Sequence, residues 1–179
     1  MLKNHTLWVF LEYQGGRKMI GREETVTVME TAIDDMNPEI YSYLLEKLIG
    51  EGALDAYATP VYMKKNRPGN LLTVICRGES KEQLLELIFR ETTTLGVRLR
   101  EEKRRVLKRG FAMVSTPWGD VNIKIGYTGE NERKILQAAP EYEECRKIAE
   151  NSGTPLKEIY TAALAAFEKI KEDKGGDLL

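Results

Sequence analysis

The stretch Thr25-Val26-Thr27-Val28-Met29-Glu30-Thr31-Ala32-Ile33-Asp34-Asp35-Met36-Asn37-Pro38-Glu39 decides the fold, because it runs from a strand through a short acidic loop into the start of a helix. Residues 25–31 alternate and are rich in β-branched side chains, which suit a pleated, half-buried surface. Asn37 is a favoured N-cap and Pro38 a favoured first helical residue. In the helix predicted over 38–49, Ile40, Leu44 and Leu48 repeat every four residues with Tyr41, Leu45 and Ile49 beside them, and Gly50 and Gly52 end it.

Downstream the pattern continues as strands over 55–63 and 71–77, a helix over 81–95 and a strand over 97–107. That order, βαββαβ, is the ferredoxin-like unit, so the expected class is α+β with two helices on one face of an antiparallel sheet. In the second helix Ser80 and Gln83 have capping-box spacing, Leu84, Leu87 and Ile88 form the apolar stripe, and Gly96 ends the segment. The unit spans 24–109. Its last strand crowds together Arg98, Arg100, Lys103, Arg104, Arg105, Lys108 and Arg109. Three readings stand open for it: a solvated edge strand guarded by charge, a phosphate-facing surface, or a subunit contact.

Residues 111–116 and 121–127 flank Pro117-Trp118-Gly119-Asp120 and predict a hairpin, with Lys124 on the face opposite Ile123 and Ile125. A short helix is expected from Pro140 to about Gly153. A longer one follows, capped by Thr154 with Pro155 at its first position and striped by Leu156, Ile159, Tyr160, Ala163, Leu164, Phe167 and Ile170. Residues 110–179 are therefore a hairpin with a helical extension ending in a frayed polar tail over 172–179. Residues 1–23 form a boundary segment with one strand at 6–13, whose pairing partners are expected upstream of this sequence.

Composition narrows the function. Twenty-seven basic and 28 acidic residues leave a net charge of −1, against the basic excess that non-specific nucleic-acid binding rests on. The apolar runs fall short of the roughly 20 residues a membrane helix needs, so a soluble protein without membrane or nucleic-acid partners is expected. Two cysteines, Cys76 in an apolar strand and Cys145 in a helix, suggest buried thiols and a reducing, cytoplasmic setting. The one histidine, His5, is too isolated to anchor a zinc cluster or a Ser-His-Asp mechanism, so any metal is expected to be oxygen-bound.

Two loops carry the candidate chemistry. Glu30, Asp34 and Asp35 lie between the first strand and its helix, and Lys64, Lys65, Asn66 and Arg67 lie just ahead of Pro68-Gly69. Carboxylates take hard divalent cations, while Lys and Arg neutralise phosphate oxygens. Together they suit a metal-bound polyphosphate. Each half also has a plainer reading: Asp34 and Asp35 as helix-dipole partners, and 64–69 as a solvated turn.

The acidic run Glu30 to Glu39, then Gly52-Ala53-Leu54-Asp55, Thr59-Pro60, Met63-Lys64-Lys65-Asn66-Arg67-Pro68-Gly69, Thr116-Pro117-Trp118-Gly119 and Pro140-Glu141-Tyr142-Glu143 with Cys145, resembles in order and spacing the C-terminal half of the LarC family of nickel insertion proteins. The resemblance covers residues 25–163. It implies a CTP-dependent cyclometallase that places nickel, as substrate, into pyridinium-3,5-bisthiocarboxylic acid mononucleotide. The product is the nickel-pincer nucleotide cofactor of lactate racemase; CTP is cleaved to CMP, and Mn2+ or Mg2+ is required. On this resemblance Glu30, Asp34 and Asp35 are expected to hold the divalent ion. Lys64, Lys65, Asn66 and Arg67 are expected to hold CTP, with Lys124 and Arg104 as further candidates. Ala32 departs from the polar residue, commonly Asn, expected before Ile33. The family's N-terminal half is expected as a partner segment outside this sequence, so CTP binding without nickel insertion is expected of the chain alone. The charged strand and striped last helix predict a homo-oligomer. Two rivals from other classes remain: a nucleotide-sensing module that binds without turnover, and an assembly domain with no nucleotide affinity.

Overall fold

The computed structural model describes residues 20–129 and 134–173. His5, the strand expected at 6–13 and residues 174–179 of the expected tail lie outside the described residues. The described residues divide into two compact units, one over 23–104 and the other from Arg105 onward together with residues 20–22.

The first unit contains β1 (Arg22–Ile33), α1 (Glu39–Gly50), β2 (Asp55–Met63), β3 (Arg67–Cys76), α2 (Lys81–Glu91) and β4 (Arg98–Val106). Its sheet order, β2-β3-β1-β4, with β3 antiparallel to both β1 and β2, is that of a ferredoxin-like unit. The two sequence periods meet in its core. Met29 on β1 and Leu72 and Val74 on β3 point inward at every second position, and Leu44, Leu48, Leu84, Leu87 and Ile88 supply the helical stripes. Each fully buried aliphatic side chain of this kind contributes about 1.5–3 kcal/mol. Pro60 is tolerated because β2 is an edge strand. The other edge is β4, whose residues are mostly exposed, in keeping with a charge-guarded edge.

Local capping differs from expectation at one helix. Asn37 caps α1, its side-chain oxygen accepting the Glu39 N–H at 3.1 Å. The capping box of Ser80 and Gln83 does not form: Ser80 makes no side-chain cap bond. Gln83 instead donates to Glu51 at the end of α1, at 2.5 Å. The Ser80 N–H that a capping box would use donates instead to the Arg77 carbonyl at 3.1 Å.

The second unit is a β-meander, β5 (Lys108–Thr116), β6 (Gly119–Thr128) and β7 (Lys134–Pro140), followed by α3 (Tyr142–Ser152) and α4 (Leu156–Asp173). The expected hairpin is present and closes between Thr116 and Gly119. Gly119 adopts φ +145°, which side-chain-bearing residues rarely reach. A third strand, β7, extends the hairpin, so Pro140 ends a strand instead of opening a helix, and α3 begins at Tyr142. Val114, Val121, Ile123 and Ile125 form the inner face against Ile159, Ala163 and Phe167 of α4, which places most of the helical stripe in a core and leaves Leu164 exposed. Cys76 and Cys145 are both buried free thiols. No described helix is long and apolar enough to cross a membrane.

Candidate metal and phosphate site

Antiparallel pairing gathers the acidic and basic loops at one end of the first sheet. Register pairs Ile33, the last residue of β1, with Asn70, and Met63 with Arg67 across the β2–β3 hairpin. The residues that follow Ile33 therefore lie beside the start of β3. Gly69 makes this approach possible. A Cβ there would stand 2.6 Å from the Ile33 carbonyl oxygen, closer than side-chain-bearing residues essentially ever come, and 3.2 Å from the Asp34 Cα, a tight contact. Across this contact Arg67 donates to the Asp34 carboxylate at 3.2 Å. Asp35 accepts a hydrogen bond from Thr93 of the α2–β4 connection. The same connection is tied to β1, since Thr31 Oγ1 lies 2.5 Å from Thr94 Oγ1 and donates to the Gly96 carbonyl at 3.0 Å.

Asp34 and Asp35 are thus not the cap of α1, a role taken by Asn37; they engage Arg67 and Thr93 instead. The basic turn is distinctive in its backbone. Lys65 and Asn66 both adopt left-handed geometry, φ 60° and 57°, which costs a side-chain-bearing residue roughly 1–2 kcal/mol. Two such residues in succession hold the turn in one shape, and Lys64, Lys65, Asn66 and Arg67 are all exposed on it. Strained conformations of this kind cluster at ligand clamps.

Glu30 is placed differently. Its carboxylate, 18% exposed, takes Arg100 at 2.7 Å and 3.1 Å and lies 3.7 Å from Arg98. Among the described residues no three Asp, Glu, His or Cys side chains converge as a metal-binding group, so Glu30, Asp34 and Asp35 do not form one cluster. Arg104 pairs with Glu24 at 2.6 Å. Glu24 precedes Glu30 by six strand positions, about 20 Å at strand rise, so Arg104 lies toward the opposite end of the sheet. Lys124 belongs to the other unit, where it is exposed on β6 and pairs with Glu141 of the same unit at 2.8 Å.

Hydrogen bonding from Arg100 holds the Glu30 carboxyl below its ordinary value of 4.5; burial opposes the shift, and the charges of Arg100 and Arg98 add to it. A lowered carboxyl stabilises the fold above its unfolded value and loses that contribution as pH falls through the folded value. Acid unfolding followed by circular dichroism should therefore be shallower in Glu30→Gln than in the parent below about pH 4.5. An identical acid limb in both would mean that the Glu30–Arg100 pair does not contribute.

Sequence patterns missed three polar residues at this end. Thr93 comes from a loop with no motif of its own. Tyr41 is buried on α1, and Asn70 on β3 pairs with Ile33 at the end of β1. The Tyr41 side chain is only 8% exposed. Its hydroxyl is buried, with the Asn70 side chain beside it as the nearest polar group. Burial pushes this hydroxyl above the ordinary phenol range; Asn70 counteracts the rise and the charge of Asp35 adds to it. The one available signal was the tyrosine within an otherwise aliphatic helical stripe.

The fold and this end of the sheet define a class: a ferredoxin-like α+β protein with an acidic loop locked against a rigid basic turn. The chain belongs to the nickel insertion protein family, whose model matches residues 3–160. It is 48% identical over 150 residues to a relative from Dictyoglomus thermophilum, covering 84% of this chain and 37% of that protein. It is 39% identical over 155 residues to the pyridinium-3,5-bisthiocarboxylic acid mononucleotide nickel insertion protein of Thermotoga petrophila, covering 87% and 38%. The chain thus spans under two-fifths of the length of these curated relatives. Among solved structures it is similar to LarC2, the C-terminal domain of a cyclometallase involved in the synthesis of the NPN cofactor of lactate racemase, in apo form. The TM-score is 0.74 at 37% identity, over 82% of this chain and 99% of that one.

Proposed function

We propose that this chain is the CTP- and divalent-cation-binding C-terminal part of a cyclometallase. The whole protein would insert nickel, its substrate, into pyridinium-3,5-bisthiocarboxylic acid mononucleotide. Family membership and the likeness to a cyclometallase C-terminal domain support the class. The observation that carries the site is the Arg67–Asp34 contact at 3.2 Å, made possible by Gly69. It brings an acidic and a basic loop within one ligand's reach.

The donors suit Mg2+ or Mn2+. Asp34 and Asp35 offer carboxylates from one loop, and Thr93 of the α2–β4 connection a hydroxyl beside Asp35. Mg2+ is commonly held by one or two protein carboxylates plus substrate phosphates and water, so a third carboxylate is not required. Asp34 and Asp35 would hold the cation, and Lys64, Lys65, Asn66 and Arg67 the phosphates. Glu30 would hold Arg98 and Arg100 at the rim. When bound, the cation supplies charge neutralisation across the phosphate oxygens. Arg67 would exchange Asp34 for a phosphate oxygen, keeping its charge paired throughout. A cytoplasmic setting accords with the two free thiols. A homo-oligomer is part of the proposal, supported by Phe111 and Met113, which stand 57% and 66% exposed on β5.

The test is calorimetric titration with CTP, ATP, GTP and UTP, each with manganese and with EDTA. Carboxylates beside a triphosphate repel it until a cation screens them. CTP is expected to bind far more tightly with manganese and ahead of the other nucleotides. Equal affinity with EDTA would remove the paired-loop site.

A further inference from the structure

The register of the first sheet sets Glu30 of β1 opposite Thr73 of β3, and Thr73 opposite Tyr57 of β2. Met29, Leu72 and Val74 belong to the core with the helices, so alternation puts Glu30, Thr73 and Tyr57 on the other face of the sheet. Arg98 and Arg100, two positions apart on β4, share that face because both reach Glu30. Arg100 grips the carboxylate at 2.7 Å and 3.1 Å, and Arg98 lies 3.7 Å from it. Charge that only guards a sheet edge has no need to converge. Here two guanidiniums close on one part-buried carboxylate, yet both stay exposed, as does Tyr57 two strands away.

We propose that this row is the docking site for the ring of pyridinium-3,5-bisthiocarboxylic acid mononucleotide. Charge complementarity chooses the occupant. The ligand brings two thiocarboxylates and one positive ring; the row offers two guanidiniums and one carboxylate. Residues two apart on a strand stand about 6.6 Å apart, close to the spacing of two carboxyl groups set meta on a six-membered ring. Arg98 and Arg100 each take one arm, a planar anion suited to a guanidinium fork. Glu30 then lies under the ring and answers its positive charge, and Tyr57 beyond it presents a π face to the same charge. A nucleoside triphosphate would suit the row less, since it brings anions but no cation for Glu30. The inference rests on the substrate named in the reading above, and not on its cation site.

The test is calorimetric titration of the full chain with three ligands: that mononucleotide, its counterpart bearing a single 3-carboxylate, and pyridine-3,5-dicarboxylate, whose ring is neutral. The parent should bind the two-armed mononucleotide more tightly than either of the others. Arg98→Ala and Arg100→Ala should each lower that affinity by about tenfold or more, one charge-assisted contact's worth. The one-armed ligand should lose less, because its arm can use the remaining arginine. Glu30→Gln should shift preference toward the neutral-ring dicarboxylate, a ratio that a merely structural Glu30 would leave unmoved. Parent-like affinity in both arginine variants, or equal losses for the one- and two-armed ligands, would overturn the site and leave the substrate reading standing. Failure of the parent to bind the mononucleotide would overturn the site and the substrate reading together.

Discussion

Asp34→Ala and Asp35→Ala should each abolish manganese-dependent CTP binding while leaving the fold nearly intact. Loss of an outer-sphere partner already costs roughly 10–100-fold in metal affinity, so loss of a carboxylate that touches the cation should cost at least about a hundredfold. The effect on stability should be small. Asp34 contributes an ion pair to Arg67, whose side chain is 57% exposed, and exposed pairs are worth about 0–1 kcal/mol. Near a helix start a carboxylate adds about 0.3–1 kcal/mol, and Asn37 already caps α1. Calorimetric titration beside thermal unfolding separates the two quantities. Normal binding of manganese and CTP by both variants would leave the acidic loop with a structural role alone.

Arg67→Ala should weaken CTP by roughly 10–100-fold, since a charge-assisted contact is worth about 1.5–3 kcal/mol. The factor should be similar for ATP, GTP and UTP, because a guanidinium on phosphate does not read the base. The same variant carries an opposite sign for the cation alone. Arg67 stands 3.2 Å from Asp34, so its removal frees that carboxylate, and manganese without nucleotide should bind at least as tightly as in the parent. Titration with manganese alone and with manganese plus each nucleotide reads both signs. A loss of base preference without loss of affinity would place the triphosphate elsewhere, with the exposed Arg98 at the start of β4 the next candidate.

Helices and inner strands were legible in the sequence because burial imposes a period. The spacing of Leu44, Leu48, Leu84, Leu87 and Ile88 matches the observed core. The third strand of the meander was not. Residues 134–140 read Lys-Ile-Leu-Gln-Ala-Ala-Pro, and two alanines and a glutamine carry little strand preference. Pairing with β6, where Ala138 lies opposite Ile125, supplies what the local sequence lacks. The candidate site was legible by halves. Charge and turn chemistry marked both loops, but their contact depends on the register of β3 between β1 and β2. Thr93 and Tyr41 enter only once the α2–β4 connection and the buried end of α1 are folded over that register.

The close seating of Gly69 on Ile33 has a consequence for how this site can diversify. The spacing between the two loops is set by backbone against backbone, whereas the side chains of Lys64, Lys65 and Asn66 point into solvent and are absent from the apolar core. The turn is thus a fixed mount with interchangeable readers. Lineages or engineers could exchange those side chains to favour another anionic ligand without refolding the sheet, while position 69 would be barred from change.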